Sequence, residues 1–475
     1  MRAIVVVALF LISACATNPV TGKRELMLVS EAQEIQMGRE ADADVQKSMG
    51  VYANARWQQY VTDVGMRLAR QSHRPNLPWK FTVVDEPAVN AFALPGGFIY
   101  ITRGILPFLR DEAELASVLG HEVGHVDARH SASQVSKQQA AGIGLALGSV
   151  LAPKYQDAFN LAGSGLGLMF LKFGREDELE ADTLGTGYAA RAGWDPAGMP
   201  GLLDTLARLE GASGSSRGVP HWALTHPPAP ERVQKVQEAV AASQSPTAIA
   251  RNRPEFESHI AGVVFGDARE KGVVRGREFI HPVLRFALTF PDGWDIANSN
   301  DAVTAQPAGA DGAAIILQPV GAAASNLQVT AETSMSKSGF SPVSGGAERI
   351  HGLEAFVGLY EGVIQNTRAG AQAGFVRMSD RSMIYRVLGV ASSAQFDLVR
   401  APATAAIGSF RELSTAEADA IQNRQIVFQS VRSGDTWASI AAAVGNTTKP
   451  STLAIMNGET LDSTPRPGSR VRVVR

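Results

Sequence analysis

Residues 111 to 126 read Asp-Glu-Ala-Glu-Leu-Ala-Ser-Val-Leu-Gly-His-Glu-Val-Gly-His-Val. Asp111 and Glu114 stand at capping-box spacing, and Leu115, Val118, Leu119 and Val126 recur at helical intervals. The stretch therefore predicts a helix with one face buried. His121 and His125, four residues apart, share a face of that helix, where both imidazoles can reach a single ion. Glu122 lies beside them and places a base next to a water activated by the metal. In a chain with only 9 histidines among 475 residues, this pairing is the strongest chemical signal present.

Two histidines leave a catalytic zinc site short, because such sites take three protein ligands and keep a fourth position for water or substrate. The third ligand is expected in Arg175-Glu-Asp-Glu-Leu-Glu-Ala-Asp-Thr-Leu-Gly185, an acidic segment whose periodicity suits a helix ending near Gly193. Several carboxylates compete there. Among its glutamates only Glu178 has an aspartate four residues on, Asp182, which shares its helix face and can accept the second ring N–H of a ligand histidine. That spacing favours Glu178 as ligand with Asp182 behind the metal shell.

Taken in order, His121-Glu122-x-x-His125, Glu178-x-x-Ala181-Asp182, and Thr225-His226-Pro227-Pro228 with Arg232 resemble the HtpX and BepA-like zinc metallopeptidases. The type I CaaX prenyl proteases share the pattern. The run Asn90-Ala-Phe-Ala-Leu-Pro-Gly-Gly-Phe-Ile-Tyr-Ile101 is similar to that family's strand and turn ahead of the metal helix, and the resemblance covers about residues 30 to 270. It implies a mainly helical, gluzincin-type domain with a small sheet, holding one Zn2+ per chain on His121, His125 and Glu178. Glu122 is then general base and afterwards acid. His226 is implied as an additional histidine near the metal, which stabilises the oxyanion or occupies the open position at rest, with Arg232 orienting that region. Asn90 and Ala91 are implied as edge positions that bind a peptide main chain by strand addition. By residue pattern alone, His226 is a turn histidine before two prolines, and residues 90–101 are a strand followed by a Pro-Gly-Gly turn.

The implied activity is endopeptidase hydrolysis, with unfolded or misassembled proteins as substrates because a strand-bound peptide is held mainly through its backbone. A reading from another class is a chaperone-like or peptidoglycan-binding protein whose zinc cleft stays closed by His226. Composition excludes little else: 45% hydrophobic, 19% charged and a formal net charge of −2 suit an ordinary folded, multidomain protein. Nothing is basic enough for nucleic acid, and no phosphate-cradling glycine motif stands out.

The first fifteen residues give an address. Met1-Arg2 is a positive start, Ala3 to Ile12 a short apolar core, and Ser13-Ala14 precede the only cysteine. Residues 1–14 read as a signal peptide rather than a membrane span. Ile12-Ser-Ala-Cys15 resembles a bacterial lipobox, which implies lipid attachment at Cys15 and a tether over 15–29. Ala16, where an aspartate would retain the protein at the inner membrane, implies the inner face of the outer membrane. The chain is thus expected in the bacterial periplasm, touching the membrane through its lipid anchor only and meeting envelope proteins as substrates. A single cysteine allows no intramolecular disulfide.

The rest of the chain divides into recognisable parts, giving an α+β multidomain protein. Ala140–Ala152 and Ala158–Phe173 are apolar, Gly- and Ala-rich runs below transmembrane length, expected as buried helices or a loop flanking the cleft, or as a mobile lid. From 275 to 413 short alternating runs predict an α+β accessory domain without a catalytic constellation, suited to partner binding or spacing, and Phe286 to Trp294 faintly resembles PsbP-like domains. Residues 424 to 475 follow a strand-helix-helix-strand order that resembles a LysM module, implying peptidoglycan as a further partner. Trp437 and an insertion around Thr447–Lys449 depart from that pattern and leave glycan and protein both open as ligands.

Overall fold

The structure, a computed structural model, describes residues 15–148, 173–213, 222, 226, 230–242, 250–307, 312–321, 326–364, 367–380 and 383–475. The expected signal peptide over 1–14, most of the two apolar runs between 140 and 173, and Thr225, Pro227 and Pro228 lie outside them. Two compact units emerge, one formed by 1–266 with 424–475 and the other by 267–423.

In the first unit a hairpin of β1 (Cys15–Thr17) and β2 (Arg24–Leu26) leads into α1 (Glu31–Met49) and α2 (Ala55–Ala69). Three strands follow, β3 (Lys80–Val84), β4 (Ala91–Leu94) and β5 (Phe98–Thr102), in the order β3-β5-β4, which leaves β4 as an edge. Gly96 turns β4 into β5 at φ +79°, and a Cβ there would stand 2.5 Å from the Cα of Ile35, so both backbone and space demand glycine. A 3-10 turn at Leu106–Phe108 delivers the chain to α3 (Glu112–Asp127), followed by α4 (His130–Gly148), α5 (Arg175–Arg191), α6 (Gly198–Ser213), α7 (Pro230–Ala242) and α8 (Arg253–Ile260).

α3 departs from the expected single buried face, because every one of its residues is buried. Helices α2, α5 and α6 and strands β4 and β5 surround it, so polar positions must find partners inside. Glu112 does so: its carboxylate accepts from Tyr60 Oη at 2.6 Å, Trp194 Nε1 at 2.6 Å and Asn252 Nδ2 at 2.7 Å. Asp111 caps the helix by accepting the Glu114 N–H at 3.1 Å, whereas Glu114 takes the Arg110 backbone N–H at 2.7 Å instead of returning to the cap.

The closest helix contact is between α3 and α5, and it runs over small residues. A Cβ at Gly120 would lie 3.0 Å from the Gly185 carbonyl oxygen, one at Gly124 3.0 Å from the Ala181 carbonyl oxygen, and one at Gly185 2.6 Å from the backbone nitrogen of His121. These backbones therefore approach as only glycine permits.

The stretch expected as a tether is in large part folded. Met27 and Val29 join a core with Ala41, Val45, Phe92 and Tyr100, and the Leu28 N–H donates to Ser136 Oγ at 3.0 Å. Apolar side chains that find a core do not remain in solvent.

The second unit holds two antiparallel sheets. Its elements are β6 (Val273–Arg275), β7 (Glu278–His281), β8 (Phe286–Thr289), β9 (Trp294–Asn298), β10 (Val303–Pro307), β11 (Ala314–Gly321), α9 (Leu327–Lys337), β12 (Phe340–Ile350), β13 (Leu353–Ile364), β14 (Thr367–Arg377), β15 (Ile384–Ser392), α10 (Phe396–Ser409), β16 (Arg411–Glu412) and α11 (Thr415–Asp419). One sheet runs β12-β13-β14-β15-β11-β10-β9 and the other β16-β8-β7-β6.

The last segment returns to the first unit. β17 (Ile426–Ser430), α12 (Trp437–Ala443), α13 (Pro450–Met456) and β18 (Arg470–Val474) form a strand-helix-helix-strand module with β17 and β18 antiparallel. Ile426, Ile455, Met456 and Val474 share one core with Trp57, Leu115 and Val118. Arg472, 3% exposed, donates to the carbonyls of Pro107, Leu109 and Arg110 just ahead of α3, and burial pulls its guanidinium pKa down to about 10.

Two stability measurements check this packing. Gly185→Ala is expected to force α3 and α5 apart and cost about 1–3 kcal/mol, seen as a lower thermal transition of the full chain. Arg472→Leu strands buried carbonyls and is expected to cost about 2 kcal/mol or more in the same measurement. An unchanged transition in either variant refutes the corresponding contact.

Candidate metal centre

The α3–α5 approach sets the site. With the two backbones in contact at Gly120, Gly124 and Gly185, the side chains of His121 and His125 on α3 face those of Glu178 and Asp182 on α5, and all four residues are fully buried. The acidic start of α5 is itself favourable, since Glu176, Asp177 and Glu178 occupy the first turn, where the helix dipole stabilises negative charge. His226 arrives from the segment between α6 and α7, and Arg232 from the first turn of α7.

One ligand atom each from His121, His125, Glu178 and His226 lies within 4.8 Å of all the others. His121 Nε2 is 3.0 Å from His125 Nε2, 3.2 Å from His226 Nδ1 and 3.6 Å from Glu178 Oε2. Glu178 Oε1 is 3.5 Å from His125 Nε2 and 2.9 Å from His226 Nδ1. Tetrahedral zinc with bonds of about 2.0–2.1 Å needs ligand atoms roughly 3.3–3.4 Å apart, so this donor set and spacing fit the ion. His226 supplies the fourth donor atom of the cluster.

The remaining atoms of these side chains are held from behind. Asp182 Oδ1 lies 2.9 Å from His121 Nδ1, and Asp182 takes both Nε and Nη2 of Arg232 at 2.7 and 2.8 Å. Arg232 Nη1 reaches Glu178 Oε2 at 2.9 Å. His125 Nδ1 is 2.9 Å from His130 Nδ1, and Phe173 stacks on the His125 ring at 4.0 Å. Trp222 stacks on His226 at 4.2 Å.

Electrostatics follow from burial and crowding. Burial alone would raise the Glu178 pKa, but His226, His125 and His121 outweigh it and hold the carboxyl well below its usual range. Burial likewise works to lower His226, and Glu178 with Glu122 overcomes it, so its pKa is raised. Glu122 behaves oppositely to Glu178. Burial raises its pKa, and neither of its oxygens has a hydrogen-bond partner among the described residues. Its Oε1 lies 3.6 Å from His226 Nε2.

The structure thus brings His121, Glu122, His125, Glu178, Asp182, His226 and Arg232 into one buried site. Asn90 and Ala91 stand at the start of the edge strand β4, where the Val89 carbonyl accepts the Trp222 N–H at 3.2 Å. Cys15 lies apart from these in β1, paired with Leu26. Sequence reasoning missed His130, Glu180, Trp222 and Phe173. His130 carried the one available signal, a third histidine five residues after His125. The aromatic contacts depend on segments whose return to the site no spacing encodes.

Comparison with known proteins agrees with this geometry. The family model described as Peptidase family M48 matches residues 55–240. A mitochondrial metalloendopeptidase OMA1 of Schizosaccharomyces pombe is 32% identical over 231 residues, covering 48% of this chain and 66% of that protein. The β-barrel assembly-enhancing protease of Escherichia coli is 33% identical over 222 residues, covering 44% of each. The chain therefore spans less than two thirds of either relative. A solution structure of cyanobacterial PsbP from Synechocystis overlays 30% of this chain and 95% of its own at 11% identity and a TM-score of 0.24, a similarity that assigns neither fold nor function. Residues 55–240 therefore carry a peptidase family M48 domain, over which the chain is similar to the β-barrel assembly-enhancing protease.

Proposed function

We propose that the chain is a zinc-dependent endopeptidase that cleaves misfolded or unassembled proteins of the bacterial cell envelope. One observation carries the reading: four buried donors converge at tetrahedral spacing, with the unpartnered carboxylate of Glu122 beside them. In it, His121, His125 and Glu178 are the protein ligands. A zinc ion held there supplies Lewis acidity to a peptide carbonyl and to the attacking water. Glu122 takes the proton from that water, helped by a pKa that burial has raised, and returns it to the leaving amine nitrogen.

His226 offers a fourth donor atom to the cluster, so a substrate carbonyl approaching an ion held there would have to replace it. Once displaced it remains close to Glu122, where a ring N–H can donate to the oxyanion. Arg232 acts through Glu178 and Asp182 by fixing both carboxylates. Asn90 already pairs its N–H and carbonyl with Thr102, so a peptide added to the β4 edge would meet the main chain at Ala91, close to the Val89 carbonyl that pins Trp222. Such backbone recognition suits unfolded chains.

The names of the relatives support the substrate class, one being a protease that enhances β-barrel assembly and another a metalloendopeptidase. The address rests on the first fifteen residues, with 1–14 as signal peptide and Cys15 as the lipid anchor at the inner face of the outer membrane. In the same reading 424–475 is a LysM-like module for peptidoglycan or protein, and 275–413 a weakly PsbP-like accessory domain. A second reading keeps the site closed and makes the chain a chaperone-like or peptidoglycan-binding lipoprotein, which the stacking of Trp222 on a metal-facing His226 favours.

Two experiments decide between them. Glu122→Gln is expected to keep one zinc per chain and to lose at least about 100-fold in proteolysis of an unfolded substrate. Chelation is expected to lower the thermal transition and abolish cleavage, and added zinc to restore both. If the zinc-loaded wild type cleaves nothing, even after His226→Ala, the peptidase reading is wrong.

A further inference from the structure

His125 presents Nε2 to the ligand cluster, 3.0 Å from His121 Nε2 and 3.5 Å from Glu178 Oε1. An imidazole that gives Nε2 to a metal carries its proton on Nδ1 and needs an acceptor for it. The atom 2.9 Å from His125 Nδ1 is Nδ1 of His130. One proton serves both nitrogens, so His130 Nδ1 accepts and its own proton sits on Nε2. That Nε2 lies 3.2 Å from Glu180 Oε2 and 3.9 Å from Asp177 Oδ1, both on the first turns of α5. A directed chain results, from carboxylate through His130 to His125. It does for this ligand what Asp182 does for His121.

His130 reaches this place through a strained corner. Only Ala128 and Arg129 separate the end of α3 from His130, the first residue of α4. Arg129 has φ +60°, a left-handed conformation that is unfavourable for any residue with a Cβ. Its side chain is tied down: Nε donates to Glu34 Oε2 at 3.0 Å and Nη2 to the Val29 carbonyl at 2.8 Å. Glu34, 1% exposed on α1, also receives both terminal nitrogens of Arg74 at 3.1 and 3.0 Å. Arg74 in turn donates to the Val126 carbonyl at the end of α3 at 2.8 Å. One buried carboxylate on the N-terminal helix thus holds the corner that aims His130.

We propose that His130 is a positioning residue for the metal ligand His125, and that the buried Glu34–Arg129 pair fixes it in place. The inference rests on the zinc reading above. Fixing the proton on His125 Nδ1 leaves Nε2 free to ligate, and the carboxylate behind His130 makes that nitrogen a better donor. The N-terminal helix is then part of the metal apparatus rather than packing around it.

The test measures zinc affinity of the full chain by competition with a chromophoric chelator, with kcat and KM on an unfolded protein and the visible spectrum of the Co2+-substituted form. His130→Leu is expected to weaken zinc binding about 10- to 100-fold, to lower kcat with KM little changed, and to shift the Co2+ spectrum. His130→Asn, whose amide oxygen stands near the position of Nδ1, is expected to recover most of the loss. Glu34→Gln is expected to give a smaller loss of the same kind. Wild-type affinity and kcat in His130→Leu overturn the proposal, as does equal loss in the Leu and Asn variants, which would mark a packing role. Should the Leu variant fail to fold, His130→Gln, whose amide cannot reach the Nδ1 position, replaces it in the comparison with Asn. An effect of Glu34→Gln on the thermal transition alone overturns the part assigned to the N-terminal helix. A wild type that binds no zinc would instead remove the reading beneath, a result that is separate from all of these.

Discussion

The site depends on how closely two helices approach. Zinc-ligand geometry tolerates only a few tenths of an ångström, and side chains on separate helices inherit any error in the distance between backbones. Here Gly120 and Gly124 on α3 meet Ala181 and Gly185 on α5 with no side chain between them. The contact leaves His121 Nδ1 2.9 Å from Asp182 Oδ1 and His121 Nε2 3.6 Å from Glu178 Oε2. An additional methyl group at this seam would be transmitted directly to the metal ligands.

Close approach has an electrostatic cost, and the surrounding network offsets it. Three histidines and three carboxylates stand in a space from which solvent is excluded, a situation stable only when each charge or dipole is met. Arg232 bridges Glu178 and Asp182, Asp182 orients His121, and His130 with Glu180 orients His125. Glu122 differs in that both of its oxygens lack a hydrogen bond among the described residues. It sits in the same low-dielectric space with a raised pKa, as a group whose partner is a reactant would.

Support for the metal helix comes from both ends of the chain. Residues 27–29 and α1 brace its C-terminal corner through Glu34, Arg74 and Arg129, while Arg472 of the final strand braces the turn before its N-terminus. The stretch read as a tether and the module at 424–475 are therefore both folded into the protease unit.

The sequence by itself determined the helix at 112–127, its capping by Asp111, the two histidines on one face and the acidic helix that follows. These features are local, because helical periodicity and the reach of a side chain over one turn settle them. It also favoured Glu178 over its neighbouring carboxylates, since only Glu178 has an aspartate one turn further on. Tertiary structure alone decided that α3 is buried on every side, that His226 joins the donor cluster and that His130 turns back under His125. It likewise decided that residues 27–29 and the last segment pack into two cores of the same compact unit. Those outcomes depend on contacts between residues tens to hundreds of positions apart, where loop paths and packing fix the geometry and no periodicity in the sequence records it.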